Sequence, residues 1–193
     1  MKKNLSAGNF RNKGSSETTR TNSDFNLYIA GLIDGDGCLN ISNKGYLSCE
    51  LVLHLKEMNT LLYIQTILGG SVSIKTEKSC RWRLHKNEGI KDLINRINGK
   101  LLTKNKKEKL KLFCEKLNIL YIEEDFSLLT NSWFSGFFDA EGSINYNTKN
   151  NNIVFTVSQK EEDIFHKIIL EFNGKKYFEK SWKGFCLHFS TKS

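Results

Sequence analysis

A chain of 193 residues with a net charge of +8 is long enough to bury a hydrophobic core, either in one domain or in two small halves. The basic excess favours a nucleic acid as the partner, because contacts with phosphates release counterions. Five scattered cysteines without a CxxC pair argue against a disulfide framework or a zinc ribbon, and no apolar run approaches the roughly 18–20 residues that cross a bilayer.

Residues 1–23 are basic, rich in Ser, Thr and Asn, and nearly free of large apolar side chains, which predicts a disordered leader. They lack the apolar stretch of a secretory signal. The whole chain holds 20 Asn and 24 Lys but only 3 Ala and no Pro, a bias typical of AT-rich genes. This bias favours an organellar protein of the mitochondrion or chloroplast, with the cytoplasm of another AT-rich host as the alternative.

The first half, which we place at 24–103, begins with an apolar segment that runs into glycines and acids, LYIAGLIDGDG at 27–37. Strand-like runs follow at 38–44 and 46–56, and then a helix whose apolar residues recur at helical spacing until Gly69. Two more strand-like runs, SVSIKTE and CRWRLHK, complete this half. The order is therefore helix–strand–strand–helix–strand–strand.

The same order recurs in the second half, which we place at 131–193, after a helical connector at 104–130. SWFSGFFDAEG at 132–142 repeats the glycine and acid pattern, and two strand-like runs, a helix and two further strand-like runs follow it. Agreement of glycines, charges and periodicity between the two copies indicates an internal duplication. The sequence therefore predicts an α+β fold made of two αββαββ halves.

Small residues stand four apart in each motif, Gly31 and Gly35 in the first copy and Gly136 and Ala140 in the second. A spacing of four places both residues on one face of a helix. Small side chains on that face let two helix backbones approach closely. We therefore predict that the two motif helices pack against each other and relate the halves by a pseudo-twofold axis.

Asp36 and Glu141 align at an offset of 105 residues, each directly before the glycine that ends its helix. A carboxylate in the last turn meets the negative end of the helix dipole, which costs roughly 0.3–1 kcal/mol, and two such acids also repel each other. A divalent cation would offset both effects. For a single copy an ordinary Asp/Gly turn is the preferred explanation, but two copies in matching context favour a metal site.

IAGLIDGDG at 29–37 resembles the motif of the LAGLIDADG homing endonucleases, and FSGFFDAEG at 134–142 resembles the second copy of their single-chain members. The resemblance extends over 24–193. It implies two four-stranded antiparallel sheets that form a saddle over DNA, with the motif helices at the interface. It also implies a monomer that cuts double-stranded DNA at a long, non-palindromic site and leaves 3′ overhangs.

The resemblance implies that the last acid of each motif, Asp36 or Glu141, binds Mg²⁺ and is catalytic. Mn²⁺ and Ca²⁺ are the substitutes to expect in vitro. The first acids, Asp34 and Asp139, are structural in this family. The supporting metal ligands implied by the resemblance are the backbone carbonyl groups just before the last acids, those of Gly35 and Ala140.

Two further residues are catalytic candidates by resemblance. VSQK at 157–160 resembles a strand end whose Gln holds the water pocket of the active site, which implies this role for Gln159. The first half has Leu55 at the aligned position, and the neighbouring His54 is the alternative there. LLTKNKKEKL resembles the segment that carries a basic residue near the metals, and Lys104 is its best match.

Alternation assigns the outward faces of the predicted strands, and it turns Ile74 toward the helices. The outward side chains include the types that read base edges, Arg at guanine and Asn at adenine, and a sheet in the major groove is an established binding mode. The predicted DNA contacts of the first half are Asn40, Ser42, Lys44, Ser73, Lys75, Arg81, Arg83 and His85. Those of the second half are Asn145, Asn147, Thr156, Lys180 and His188.

From the resemblance we expect a Mg²⁺-dependent, intron-encoded endodeoxyribonuclease whose partner is double-stranded DNA and not a membrane. An RNA maturase that assists group I intron splicing, with intron RNA as the partner, is the first alternative, because a basic surface suits both. A non-cleaving DNA-binding regulator of the same fold is the second. The paired acids favour the nuclease, since neither alternative requires two carboxylates.

Overall fold

The computed structural model describes residues 14–148 and 151–190 and has the predicted α+β architecture. The first half consists of α1 (Gly14–Asp36), β1 (Gly37–Ile41), β2 (Leu47–His54), α2 (Met58–Leu68), β3 (Ser71–Thr76) and β4 (Ser79–Leu84). Two helices follow, α3 (Asn87–Ile97) and α4 (Lys104–Leu117). The second half consists of α5 (Trp133–Glu141), β5 (Gly142–Asn147), β6 (Asn152–Gln159), α6 (Asp163–Phe172), β7 (Lys175–Glu179) and β8 (Gly184–Ser190).

Helix α1 begins at Gly14, within the segment 1–23 that we predicted to be a disordered leader. Neither proline nor glycine interrupts the chain between Ser15 and Ala30, so the helical hydrogen bonds continue upstream of the apolar motif. The prediction is therefore wrong for the part from Gly14 onward. Residues 1–13 lie outside the described residues, and the leader there stays a prediction.

The two sheets have the same topology, which confirms the duplication. All neighbouring strands are antiparallel, in the orders β1-β2-β4-β3 and β5-β6-β8-β7. Gly37 pairs with Leu51 at the start of the first sheet, and Gly142 pairs with Val157 at the start of the second. Each motif helix therefore leads directly into the edge strand of its own sheet.

The hydrophobic core is deeper in the first half than in the second. Helices α3 and α4 cover α1, β1 and β2, and α3 buries Ile90, Leu93, Ile94 and Ile97. The corresponding surface of α5, β5 and β6 keeps an apolar groove of about 560 Å³, lined in part by Phe134, Phe138, Phe155 and Phe189. Among the described helices, none combines the length and apolarity needed to cross a bilayer.

Candidate active site and nucleic-acid face

The motif helices α1 and α5 pack with their backbones in close contact, as the small residues predicted. A Cβ atom on Gly31 would overlap the carbonyl oxygen of Trp133, and a Cβ atom on Gly136 would overlap that of Tyr28. Neither position has room for any side chain, because the obstacle is backbone. This contact brings the carboxyl ends of both helices to the same place.

Asp36 and Glu141 are the last residues of α1 and α5 and lie at these adjoining ends. Loss of hydration raises the pKa of Asp36 to about 6, against the opposing charge of Lys106. Loss of hydration also raises the pKa of Glu141 to about 7, and the negative charge of Asp36 adds to this shift. A Cβ atom on Gly35 would lie 3.1 Å from Cγ of Glu141, so the two motif ends are in contact.

The lysine whose charge acts on the two acids is Lys106, and not Lys104, which we predicted from the sequence. Lys106 is half-buried, and its ammonium group donates a hydrogen bond to the carbonyl oxygen of Gly37. Its charge lowers the pKa of both Asp36 and Glu141. Lys104 is exposed at the first turn of α4, about 200° around the helix from Lys106.

Gln159 contacts Glu141, the last acid of the motif in its own half. Its Nε2 donates to Oε1 of Glu141 at 3.2 Å, and its Oε1 accepts from the backbone N–H of Lys160 at 2.7 Å. The two hydrogen bonds fix the orientation of the amide. They leave Glu141 with a neutral donor that lowers its pKa against the larger effect of dehydration.

The first half has an apolar residue where the second has Gln159, but that residue is Leu53 and not Leu55. Leu53 lies two residues after Leu51, the strand partner of Gly37, and Gln159 lies two residues after Val157, the strand partner of Gly142. Leu53 is buried in the core. His54 lies on the other face of β2, where its Nδ1 accepts a hydrogen bond from the N–H of Lys56.

Asp34 has the structural role that the resemblance implied. Its carboxylate is fully buried and accepts hydrogen bonds from the N–H groups of Leu102 and Thr103, at 2.7 and 3.1 Å, and from the Thr103 hydroxyl at 2.6 Å. The indole of Trp133 donates a fourth, at 3.2 Å. Burial raises the pKa of Asp34 to about 6 despite these donors. With its lone pairs used in this way, the side chain joins α1 to the start of α4.

The donor atoms at the adjoining helix ends fit a hard divalent cation. They are the carboxylates of Asp36 and Glu141 and the peptide carbonyl groups of Gly35 and Ala140, all of them oxygens of the kind that Mg²⁺ and Ca²⁺ prefer. Across 14–148 and 151–190, no three His, Cys, Asp or Glu side chains cluster as metal ligands. The repulsion between the two acids is the observation that favours a cation here.

Polar side chains of the first sheet converge on its outward face, away from the helices. A groove of about 560 Å³ opens on this face. Its lining includes five of the predicted DNA contacts, Asn40, Ser42, Arg81, Arg83 and His85. Sequence reasoning missed its other polar members, Tyr46, Ser48 and Ser71. Alternation along β2 and β3 was the signal for Ser48 and Ser71.

The remaining contacts of the first half lie at the margins of this face. Ser73 pairs in register with Arg81 and so shares its face. Lys44 is exposed in the turn before β2, and Lys75 is exposed at a β-bulge in β3. Ile74 pairs in register with the buried Cys80 and so lies on the helix side of the sheet, as predicted, but it is 66% exposed because β3 is the edge strand.

In the second sheet the predicted contacts share one face as far as the structure describes them. Thr156 pairs with His188, and Asn145 lies on the same outward side of β5. Lys180 is exposed in the turn between β7 and β8 rather than in a strand. Asn147 ends β5, and its side chain lies outside the described residues.

Two further residues of these faces were not predicted from the sequence. Tyr177 packs its ring against that of His188, with centroids 4.9 Å apart, on the outward side of the second sheet. Glu50 lies on the outward side of the first sheet and forms ion pairs with Arg83 and Arg81. The alternation of LSCELVLH predicts an outward position for Glu50, but an acid is not among the side-chain types expected to contact DNA.

Known proteins resemble this chain in sequence and in fold. The LAGLIDADG endonuclease family matches residues 29–117. The probable intron-encoded endonuclease aI2 of Debaryomyces hansenii is 38% identical over 126 residues, which are 65% of this chain and 19% of that protein. The intron-encoded RNA maturase bI4 of Saccharomyces cerevisiae is 35% identical over 174 residues, which are 86% of this chain and 27% of that protein.

The fold is that of solved endonuclease structures. The LAGLIDADG homing endonuclease I-GzeII, in complex with a DNA target, superposes with a TM-score of 0.65 at 16% identity, over 86% of this chain and 78% of that one. At this identity the likeness concerns the fold alone. This chain spans less than a third of the length of the two curated relatives.

Proposed function

The chain belongs to the LAGLIDADG homing endonuclease family, and from this we propose that it is a site-specific endonuclease that hydrolyses phosphodiester bonds in double-stranded DNA with a divalent metal ion. The observation that carries the proposal is the pair of carboxylates, Asp36 and Glu141, at adjoining helix ends with raised pKa values. A protein that only bound nucleic acid would not need two mutually repelling acids.

Mg²⁺ is the proposed cofactor, with Asp36 and Glu141 as its carboxylate ligands. The carbonyl groups of Gly35 and Ala140 are the proposed supporting ligands. When bound, the metal would supply Lewis acidity toward the phosphate. The carboxylates must be ionised to hold it, so their raised pKa values make metal binding and activity depend on pH.

The neighbouring side chains have distinct roles in this proposal. Lys106 brings a positive charge to the acids, where it would stabilise the negative charge that develops on the phosphate. Gln159, held by Glu141 and by the N–H of Lys160, would orient a water molecule in the second half. Leu53 cannot do so in the first half, so the two strands of DNA meet unequal surroundings.

The duplicated but diverged halves suit a long, non-palindromic DNA site read by one monomer. The outward faces of the two sheets carry different side chains, with Arg81 and Arg83 in the first and Thr156 and His188 in the second. Each face would contact one half-site in the major groove. We further propose cleavage with 3′ overhangs, as the family resemblance implies.

An RNA maturase is the second candidate, favoured by the 35% identity to the yeast protein named an intron-encoded RNA maturase. The basic surface would serve intron RNA as well as DNA, because phosphate contacts dominate the affinity for both. The names of the relatives as intron-encoded proteins, together with the Asn- and Lys-rich composition, support an organellar location for this chain as well.

The decisive experiment incubates the purified chain with a library of candidate DNA sites, including intronless alleles of AT-rich organellar genes, in Mg²⁺. Asp36→Asn and Glu141→Gln serve as the variants that remove one carboxylate each. We expect discrete double-strand breaks with 3′ overhangs that both variants abolish. Tight binding of intron RNA without any DNA cleavage, unchanged in both variants, would instead favour the maturase.

A further inference from the structure

Glu50 is the one acidic residue in strands β1 to β4, all of which the structure describes. The pairing of β2 with its neighbours places it on the outward face, between Cys38 and Arg83. A carboxylate on a face that meets phosphates repels the polyanion and weakens its binding. An acid at the middle of this face therefore needs a local physical reason.

Both carboxylate oxygens of Glu50 approach arginines of β4. Oε1 lies 3.1 Å from Nε of Arg83, and Oε2 lies 4.0 Å from Nη1 of Arg81. The side chain of Glu50 is only 28% exposed, so salt screens these pairs less than it would screen fully exposed ones. The same acid thus restrains two long cationic side chains on the face proposed to meet DNA.

We propose that Glu50 is a positioning residue that holds Arg83 and Arg81 ready for guanine, so that the half-site read by the first sheet contains guanine where these arginines lie. This inference rests on the proposed function. With Nε of Arg83 engaged by Glu50, the two terminal nitrogens remain as a planar pair of donors. That pair matches O6 and N7 of guanine, and the prior restraint reduces the entropy lost on binding.

The surroundings of the two arginines leave room for a base edge. Ser71 pairs in register with Arg83, and Ser73 pairs with Arg81, so the neighbouring edge strand has only small side chains beside them. The groove along this face has a volume of about 560 Å³.

The test is a selection of DNA duplexes from a randomised library by the full chain, in Ca²⁺ to limit cleavage, followed by affinity measurements on selected and random duplexes. Three variants are compared with the wild type, Glu50→Gln, Arg83→Gln and Glu77→Gln. Glu77 is exposed in the turn between β3 and β4, so its variant removes the same charge without touching the arginines. Thermal melts of each variant check that it is folded.

We expect the wild type to select guanine at one or two positions of one half-site. Glu50→Gln should reduce this preference about tenfold while binding random duplexes at least as tightly, because it removes a repulsive charge. Arg83→Gln should lose the preference at one of the same positions, and Glu77→Gln should keep it. A loss of the guanine preference in Glu50→Gln but not in Glu77→Gln would show that Glu50 acts by positioning the arginines and not through the net charge of the protein.

Two results overturn the proposal in different ways. If Glu50→Gln retains the guanine preference, or if it behaves like Glu77→Gln, the acid does not position the arginines, although the endonuclease function stands. If the wild type selects no sequence and binds no duplex, the proposed function fails and this inference fails with it.

Discussion

Trp133 and Tyr28 occupy equivalent positions in the two motif helices, 105 residues apart, and each donates a hydrogen bond to the first acid of the opposite helix. The indole N–H of Trp133 lies 3.2 Å from Asp34, and the hydroxyl of Tyr28 lies 2.8 Å from Asp139. The exchange is reciprocal, as a pseudo-twofold axis requires. The surroundings differ, because Asp34 is fully buried and Asp139 is exposed.

This difference predicts unequal effects of the same substitution. Asp34→Asn places an NH₂ group among four donors that all need an acceptor, so we expect a loss of about 2–3 kcal/mol in the free energy of unfolding. Asp139→Asn is the matched control and should cost much less. Urea denaturation of the two variants measures the difference. Equal losses would show that burial of the Asp34 network is not what stabilises the interface.

The close packing of α1 on α5 predicts that Gly31→Ala is destabilising although alanine favours helices. The added methyl group would overlap the carbonyl oxygen of Trp133, so the helices must separate, at a cost of about 1–3 kcal/mol. Ser135→Ala, at an exposed position of α5, is the control and should be nearly neutral. Denaturation midpoints compare the two, and a neutral Gly31→Ala would refute close backbone packing.

The raised pKa values of Asp36 and Glu141 predict how stability changes with pH in the absence of metal. In the folded protein Asp36 keeps its proton up to about pH 6 and Glu141 up to about pH 7. In the unfolded chain both carboxyl groups lose their protons near the usual pKa of about 4. Their contribution to stability is therefore complete below about pH 4 and is lost as the pH rises through 6 to 7. Divalent metal should reverse the loss at pH 8, since it binds the ionised pair.

Thermal melts at pH 5.5 and pH 8, with EDTA or with Mg²⁺, check this prediction. The wild type should melt at a higher temperature in Mg²⁺ than in EDTA at pH 8, and the gain should shrink at pH 5.5. Asp36→Asn should lose most of the gain, while Asp139→Asn should keep it. A gain of equal size in all three proteins would mean that the metal binds elsewhere.

Much of the architecture was predictable from the sequence because the duplication repeats each signal. Glycines at spacing four specified the helix contact, and alternation specified most outward faces of the strands. Side chains near loops were less predictable. Ile74 lies on the predicted side of β3 but stays exposed because β3 is the edge strand. The residue equivalent to Gln159 is Leu53 because strand pairing, not sequence alignment, decides the equivalence.

Charged residues at the site were harder to assign than glycines. The run KNKKEK offers several lysines, and the starting residue and rotation of α4 decide that Lys106 is the one whose charge acts on the acids. Glu50 was missed because its role depends on its pairing with Arg83 across two strands. Such contacts join residues distant in sequence, so no local pattern reports them.

The correction from Lys104 to Lys106 makes a direct prediction for catalysis. Lys106→Met removes the positive charge beside Asp36 and Glu141, and we expect cleavage in a single turnover to slow about 10²-fold. Lys104→Met removes an exposed charge from the same helix and should leave the rate unchanged. DNA affinity and melting temperature are measured for both variants, because Lys106 also donates a hydrogen bond to the carbonyl oxygen of Gly37 and its loss could change stability as well as catalysis. Equal rates for the two variants would exclude a special role for Lys106.

The unequal pair Gln159 and Leu53 predicts that the two DNA strands are cut at different rates. Among the described residues, an amide contacts the motif acid of the second half, whereas the equivalent residue of the first half is the buried Leu53, so we expect the wild type to accumulate nicked DNA before the linear product. Gln159→Leu makes the halves alike and should slow the faster strand by up to about 100-fold, with a smaller effect on the other. Duplexes labelled separately on each strand measure both rates. If Gln159→Leu slows both strands by the same factor, the amide supports the metal pair as a whole and not one strand's chemistry.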